Sequence, residues 1–149
     1  MGSLSVIYTR QATLSSLLIR AGSWWGPWSH CGVVDDRSLN PVVIESLAKQ
    51  GGVVVSPILD VLSRSSEWEI VRFECPNPEA GLDFAYSTVG CKYDWSGVFG
   101  IPFRGRDWEN SNRWYCSENV ETTLAFAGLD RWRPGMKGVH PCQSYFNKS

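Results

Sequence analysis

The chain has 149 residues, 43% of them hydrophobic and 19% charged, which is one domain, 1–149, long enough to bury roughly 70% of its unfolded surface. A formal net charge of −1 argues against a nucleic-acid partner, which needs a basic surface, and no polybasic block offers attraction to anionic lipid. No run of about 18 apolar residues exists to cross a bilayer, and MGSLSVIYTRQATLSSLLIRAG lacks a basic segment ahead of an apolar core, so neither stable membrane insertion nor a signal peptide is expected.

In chain order, LSVIYT is predicted as a first strand and ATLSSLLIRAG as a helix closed by Gly22, followed by the loop SWWGPW. HCGVVDD enters a strand, RSLNP turns it, and PVVIESLA pairs back as a hairpin, with Asn40-Pro41 as the punctuation. After a glycine turn comes the strand VVVS, then a helix from Pro57 with Ser56 as its expected N-cap. WEIVRFEC alternates Ile70, Arg72 and Glu74 against Val71, Phe73 and Cys75, a strand with two faces. A helix capped at Asn77-Pro78 carries Leu82, Ala85, Tyr86 and Val89 on one side. GCKYDWSGVFGIPFRGRDWENSNR has no clear period and reads as a long loop or broken helix, the kind of segment that tends to be functional. In RWYCSENVETTLAFAG, Val120, Thr123, Leu124 and Ala127 repeat at helical spacing, and Gly128 stops the helix. The tail RPGMKGVHPCQSYFNKS reads as loop with a short terminal turn. Short strands bracketed by helices indicate an α+β fold.

Five cysteines, 31, 75, 91, 116 and 142, are odd in number and irregular in spacing, which suits a reducing compartment with a free thiol better than a disulfide scaffold. With no C-x-x-C and only the His140-Pro141-Cys142 pair, no metal site and no cofactor are expected. Cys116 is different because of where it falls. At the first turn of a helix the backbone N–H groups lack partners and the dipole is positive, which favours a thiolate.

A catalytic cysteine needs a base within hydrogen-bond reach and a third group to orient that base. His30 opens a strand directly after the tryptophan loop, at the rim of a sheet. Glu45 lies near the end of the paired strand, and a lone glutamate within VVIESL needs a partner to offset its burial. Cys116, His30 and Glu45 therefore form the candidate triad. His140, in a glycine-flanked loop, reads as a solvated histidine. Cys31 adjoins His30 in a strand, where neighbouring side chains point to opposite faces, so it is expected to face away as a core thiol. Trp24, Trp25 and Trp28 fit a ligand groove or a rim of the core equally well.

Four blocks in order, WSHCGVV, VVIESLAKQGGVVVSPILDVL, YDWSGVFG and WYCSENV, resemble the circularly permuted papain-like branch of the NlpC/P60 superfamily, the YiiX/YebB-type cysteine hydrolases. The resemblance spans nearly the whole chain. It implies a small antiparallel sheet or half-barrel packed on the helix that bears the cysteine, with the histidine first in sequence and the cysteine last. Carried over by position, it makes His30 the base, Glu45 the orienting group and Cys116 the nucleophile. Tyr93 and Asp94 in KYDWSG, together with Trp28, become candidates for the substrate-binding wall, against the plainer reading that the aromatic residues pack the loop. Cys31 fills a position open to variation, and Asn119 stands where an aliphatic or small residue is usual.

The resemblance implies hydrolysis of an amide through an acyl-enzyme, with a peptide or peptidoglycan-like substrate. Lipid acyl transfer or phospholipase action is the alternative, as in the lecithin:retinol acyltransferase-like relatives, which usually carry a second histidine where this chain has Glu45. A non-catalytic binding module with a retained triad is the third reading. A cytoplasmic or phage-borne protein is expected.

Overall fold

The structure, a computed structural model, describes residues 1–13, 16–17, 19–20, 26–95, 112–131 and 141–146, without the side chains of 142, 143 and 146. Trp24, Trp25, Trp108, His140 and most of the arginine-rich stretch lie outside the described residues, as does the Cys142 side chain. Among the described residues seven strands form one curled, half-barrel sheet in the order β5-β1-β2-β3-β4-β6-β7. They are β1 Gly2–Arg10, β2 His30–Asp35, β3 Val42–Leu47, β4 Gly52–Pro57, β5 Glu67–Cys75, β6 Lys92–Tyr93 and β7 Arg113–Trp114. All neighbours run antiparallel except β6 and β7. The helices with defined bounds are α1 Ile58–Ser63, α2 Pro78–Ser87, α3 Cys116–Phe126 and α4 Pro141–Phe146. Ser16, Leu17, Ile19 and Arg20 are also helical, inside the first predicted helix.

Period-two alternation sorts the central strands between two apolar layers. Cys31, Val33 and Ile44 face the main core with α2 and α3, where Leu82, Ala85, Val120 and Leu124 meet them. Val34 and Val43 face the other way with Ile7, and Val61 of α1 covers them. β2 is consequently buried along all six residues, and each such aliphatic side chain contributes about 1.5–3 kcal/mol.

Two local details differ from the sequence expectation. Ser56 is not a helix cap: β4 runs on through Pro57, α1 begins at Ile58 without a side-chain cap, and the Ser56 side chain is drawn instead to Glu45. The loop after Gly90 contains β6 and β7, because Tyr93 donates its N–H to Gly51 O at 2.8 Å and Asp94 donates its own to Trp114 O at 3.3 Å. α2 does start at the expected cap, with Asn77 Oδ1 accepting from Ala80 N–H at 3.2 Å and Pro78 in the first turn.

The helix that opens at Cys116 is placed by close packing. A Cβ at Gly81 of α2 would meet Leu4 Cδ1 at 2.6 Å, Ala127 Cβ at 3.0 Å and Thr123 O at 3.0 Å. Only glycine lets α2 lie this near α3. Where the chain enters α3, Ser46 Oγ of β3 donates to Trp114 O at 2.5 Å, so the strand that carries Glu45 also holds the backbone two residues before Cys116.

Candidate active site

β2 opens at His30, paired with Thr9 of β1, and the β2–β3 register through Val33↔Ile44 sets Glu45 beside Gly32. His30 Nε2–H donates to Glu45 Oε2 at 2.7 Å, which leaves Nδ1 for Cys116, the ring's other hydrogen-bond partner. The second carboxylate oxygen of Glu45, Oε1, accepts from Arg64, the residue that follows α1. The result is a continuous line from Arg64 through Glu45 and His30 to the sulfur of Cys116, with the Glu45 side chain wholly shielded from solvent and the His30 side chain 11% exposed.

Burial is the largest influence on each of the three groups, and in each it disfavours charge. It is outweighed every time. Burial would lower the His30 pKa, but hydrogen bonds and charge from Cys116 and Glu45 raise it to about 10. Burial would raise Glu45, but the His30 hydrogen bond and charge, then Arg64 and Ser56, hold it at about 2. Burial would also raise Cys116, but hydrogen bonds from the Cys31 side chain and His30, the imidazolium charge and the Cys31 backbone hold the thiol well below its ordinary value. The shifts of His30 and Cys116 both favour a thiolate–imidazolium pair beside the Glu45 carboxylate.

The structure thus brings Cys116, His30 and Glu45 together. It also supplies two partners that the sequence left unnamed. Arg64 sits in the polar run SRSSE, where an arginine gives no sign of facing inward. Cys31 was expected to face away from His30 as a core thiol, and it is buried in the main core; its contact with Cys116 was not foreseen. The alternation holds along β2, with Cys31 on the main-core side, but Cys116 opens a helix packed on that same side, while His30 reaches it from the rim. Glu118 and Glu121, which could have opposed a thiolate, are engaged elsewhere: Glu118 Oε2 accepts from Tyr115 N–H at 3.5 Å, and Glu121 accepts from Arg131 and Ser144.

Of the substrate-wall candidates, Tyr93 is the one whose hydroxyl feels the Cys116 charge. Its ring is 6.5 Å from Tyr115 and 5.0 Å from Trp95 between centroids. Burial and then the Cys116 charge push its hydroxyl pKa up. Asp94 is fully buried, and Trp28, two residues before His30, packs edge-on against Tyr145 at 5.5 Å. Tyr115, buried next to Cys116 on the chain, has its hydroxyl pKa pushed well up by burial and then by the Cys116 charge.

A curled sheet whose rim histidine faces the first turn of a packed helix defines the fold class as α+β of the YiiX type. The chain is similar to the crystal structure of metalloprotein YiiX from Escherichia coli O157:H7 (DUF1105), at 19% identity and a TM-score of 0.63, over 89% of this chain and 69% of that one. No protein-family model and no curated protein matches the sequence. The described side chains of this chain do not suit a metal. Among the described residues no group of three or more histidine, cysteine or acidic residues could hold one, and the Glu45 oxygens are turned onto His30 and Arg64 rather than toward a shared centre. No described helix is long and apolar enough to cross a membrane.

Proposed function

We propose that this chain is a cysteine hydrolase of the permuted papain-like NlpC/P60 type, cleaving an amide bond in a peptide or peptidoglycan-like substrate through an acyl-enzyme. The observation that supports this reading most is the hydrogen-bonded line from Cys116 through His30 and Glu45 to Arg64. The Cys116 thiolate attacks the carbonyl carbon. The Cys116 backbone N–H, at the head of α3, faces the developing oxyanion. Protonated His30 gives its proton to the departing amine, and Glu45 holds the ring in the orientation this requires. Neutral His30 then takes a proton from water, which attacks the thioester and frees Cys116. In this reading the protein acts in the cytoplasm or is carried by a phage.

The test is turnover of a panel of peptide amides, cell-wall peptides and lipid esters by wild type, Cys116→Ser and His30→Ala. Amide cleavage by wild type alone, with product appearing in a burst, is the expected outcome. Cleavage of lipid esters with amides untouched would move the chain to the acyltransferase reading, and no turnover on any panel member would leave a binding module. The alkaline limb of the pH profile should lie near pH 10, where His30 loses the proton it must deliver. The acid limb should lie well below the range of an ordinary thiol.

A further inference from the structure

Cys31 is not consumed by the mechanism just described, yet it is in contact with the nucleophile. Its side chain and its backbone each hydrogen-bond to Cys116, and both thiols are free and buried in one apolar cluster. They sit on regular elements that face each other, β2 and the first turn of α3. The sulfurs need only close from hydrogen-bond contact to a bond of about 2.05 Å. No such proximity holds for Cys75. It pairs with Gly2, whereas His30 pairs with Thr9, so seven residues of β1, roughly 20 Å, separate it from the triad.

We propose that Cys31 is a resolving thiol for Cys116, closing a reversible Cys31–Cys116 disulfide after a peroxide-class oxidant has attacked the nucleophile. The inference rests on the cysteine-nucleophile reading above. In the first step the Cys116 thiolate attacks one peroxide oxygen, an S–O bond forms and the O–O bond breaks. Two electrons pass from sulfur to the peroxide, and the departing hydroxide takes the His30 proton to leave as water. In the second step Cys31 sulfur attacks Cys116 sulfur, the S–S bond forms and the S–O bond breaks. The hydroxide leaves with the Cys31 proton as a second water. Two thiols and one peroxide thus become one disulfide and two waters.

The His30 contact gives the pair its order of reaction. Both thiols are buried, but Cys116 is hydrogen-bonded to His30, which supplies the proton that the first step needs, so the oxidant is reduced there and Cys31 meets the product as its neighbour. Without a resolving thiol a sulfenic acid proceeds to the sulfinic and sulfonic acids, which are not recovered by thiols. With one, the enzyme is parked rather than destroyed. A reducing dithiol attacks the disulfide and restores both thiols.

The test is peptide mapping of the wild-type protein after hydrogen peroxide, quenched by an alkylating agent in denaturant, with and without later dithiothreitol. The expected product is a peptide pair joined through Cys31 and Cys116, lighter by two hydrogens than the separate peptides. Iodoacetamide labelling of Cys116 should be lost with peroxide and restored by dithiothreitol. In Cys31→Ala, with circular dichroism confirming the fold, the recoverable fraction should fall at least about tenfold as Cys116 goes to sulfinic acid. If wild-type Cys116 becomes sulfinic acid while Cys31 remains alkylatable, or resists peroxide while still labelling with iodoacetamide well below pH 8, the resolving role is wrong and the hydrolase reading stands. If Cys116 reacts with neither reagent, the nucleophile reading fails first. The wild-type map decides the matter even if the variant does not fold.

Discussion

Gly32 stands beside the carboxylate that hydrogen-bonds His30, and its missing side chain is what admits Glu45. A Cβ at that position would meet Val43 Cγ1 at 2.6 Å, Glu45 Cβ at 3.1 Å and Ile44 O at 3.1 Å. Gly32→Ala should therefore push Glu45 off the imidazole and crowd β3, destabilising the fold by about 1–3 kcal/mol. Turnover should be lost by more than the unfolded fraction accounts for, with urea unfolding and kcat measured on the same preparation. Glu45→Gln isolates the charge from the space. The amide can still meet Arg64 or the ring but cannot stabilise the imidazolium, so kcat should fall by about 10²–10⁴ with little change in KM. A kcat within a few-fold of wild type would mean that Glu45 is a packing residue and not an orienting one.

At the scale of elements, Glu45 is held by a contact from beyond its own strand. α1 is six residues long and covers the smaller apolar layer, and Arg64, just past its end, reaches Glu45. Removing that guanidinium leaves a fully buried carboxylate with His30 and Ser56 as its remaining partners. Arg64→Ala should therefore destabilise by about 1–3 kcal/mol and lower the His30 contribution to turnover, read as a shift of the alkaline limb of the kcat profile. On the far side of the sheet Asp35 ends β2 and accepts from Arg37 Nε and one Arg37 terminal nitrogen, each at 2.9 Å, and from Tyr86 O–H of α2 at 2.7 Å. The Arg37 hydrogen bonds, more than burial opposes, hold its carboxyl at about 2. This clasp lies at the other end of β2 from the chemistry. Tyr86→Phe should cost about 0.5–1.5 kcal/mol in thermal or urea unfolding with kcat unchanged.

At the scale of the whole molecule, α4 joins the end of the described chain to its beginning. Tyr8 O–H donates to Ser144 Oγ at 2.9 Å, Ser144 donates to Glu121 of α3, and Arg131 pairs with the same carboxylate while its guanidinium lies 4.5 Å from the Phe73 ring centre. Tyr145 O–H reaches Glu69 of β5 at 2.7 Å, and its ring packs on Tyr8 and Trp28. Ser144→Ala breaks two links of this buried line at once and should lower the melting temperature by about 2–6 °C, with Cys116 reactivity retained in the folded fraction. The grouping of Cys116, His30 and Glu45 was legible in the sequence because the residue types are scarce: two histidines in all, one at a strand start, and a cysteine at a helix start. The strands were legible by their alternation. Arg64 was not, since a charged residue in a polar turn looks solvated until the sheet curls toward it. Cys31 was not, because strand alternation says which side a residue faces but not which helix packs there. The α4 latch was not, because its partners lie up to 136 residues apart in sequence, and no local pattern encodes such a pairing.

The most direct measurement is the rate of Cys116 alkylation by limiting iodoacetamide between about pH 5 and about pH 9, for wild type and His30→Ala, located by intact mass and peptide mapping. A standing ion pair keeps the thiolate populated throughout that range, so the wild-type rate should be nearly flat. In His30→Ala it should climb about tenfold per pH unit, like an ordinary thiol of pKa about 8.5. Cys75, whose thiol burial pushes up, should stay silent in both. A wild-type rate that rises with pH as steeply as the variant's, or a first adduct on another cysteine, would contradict the ion pair and with it the proposed hydrolase.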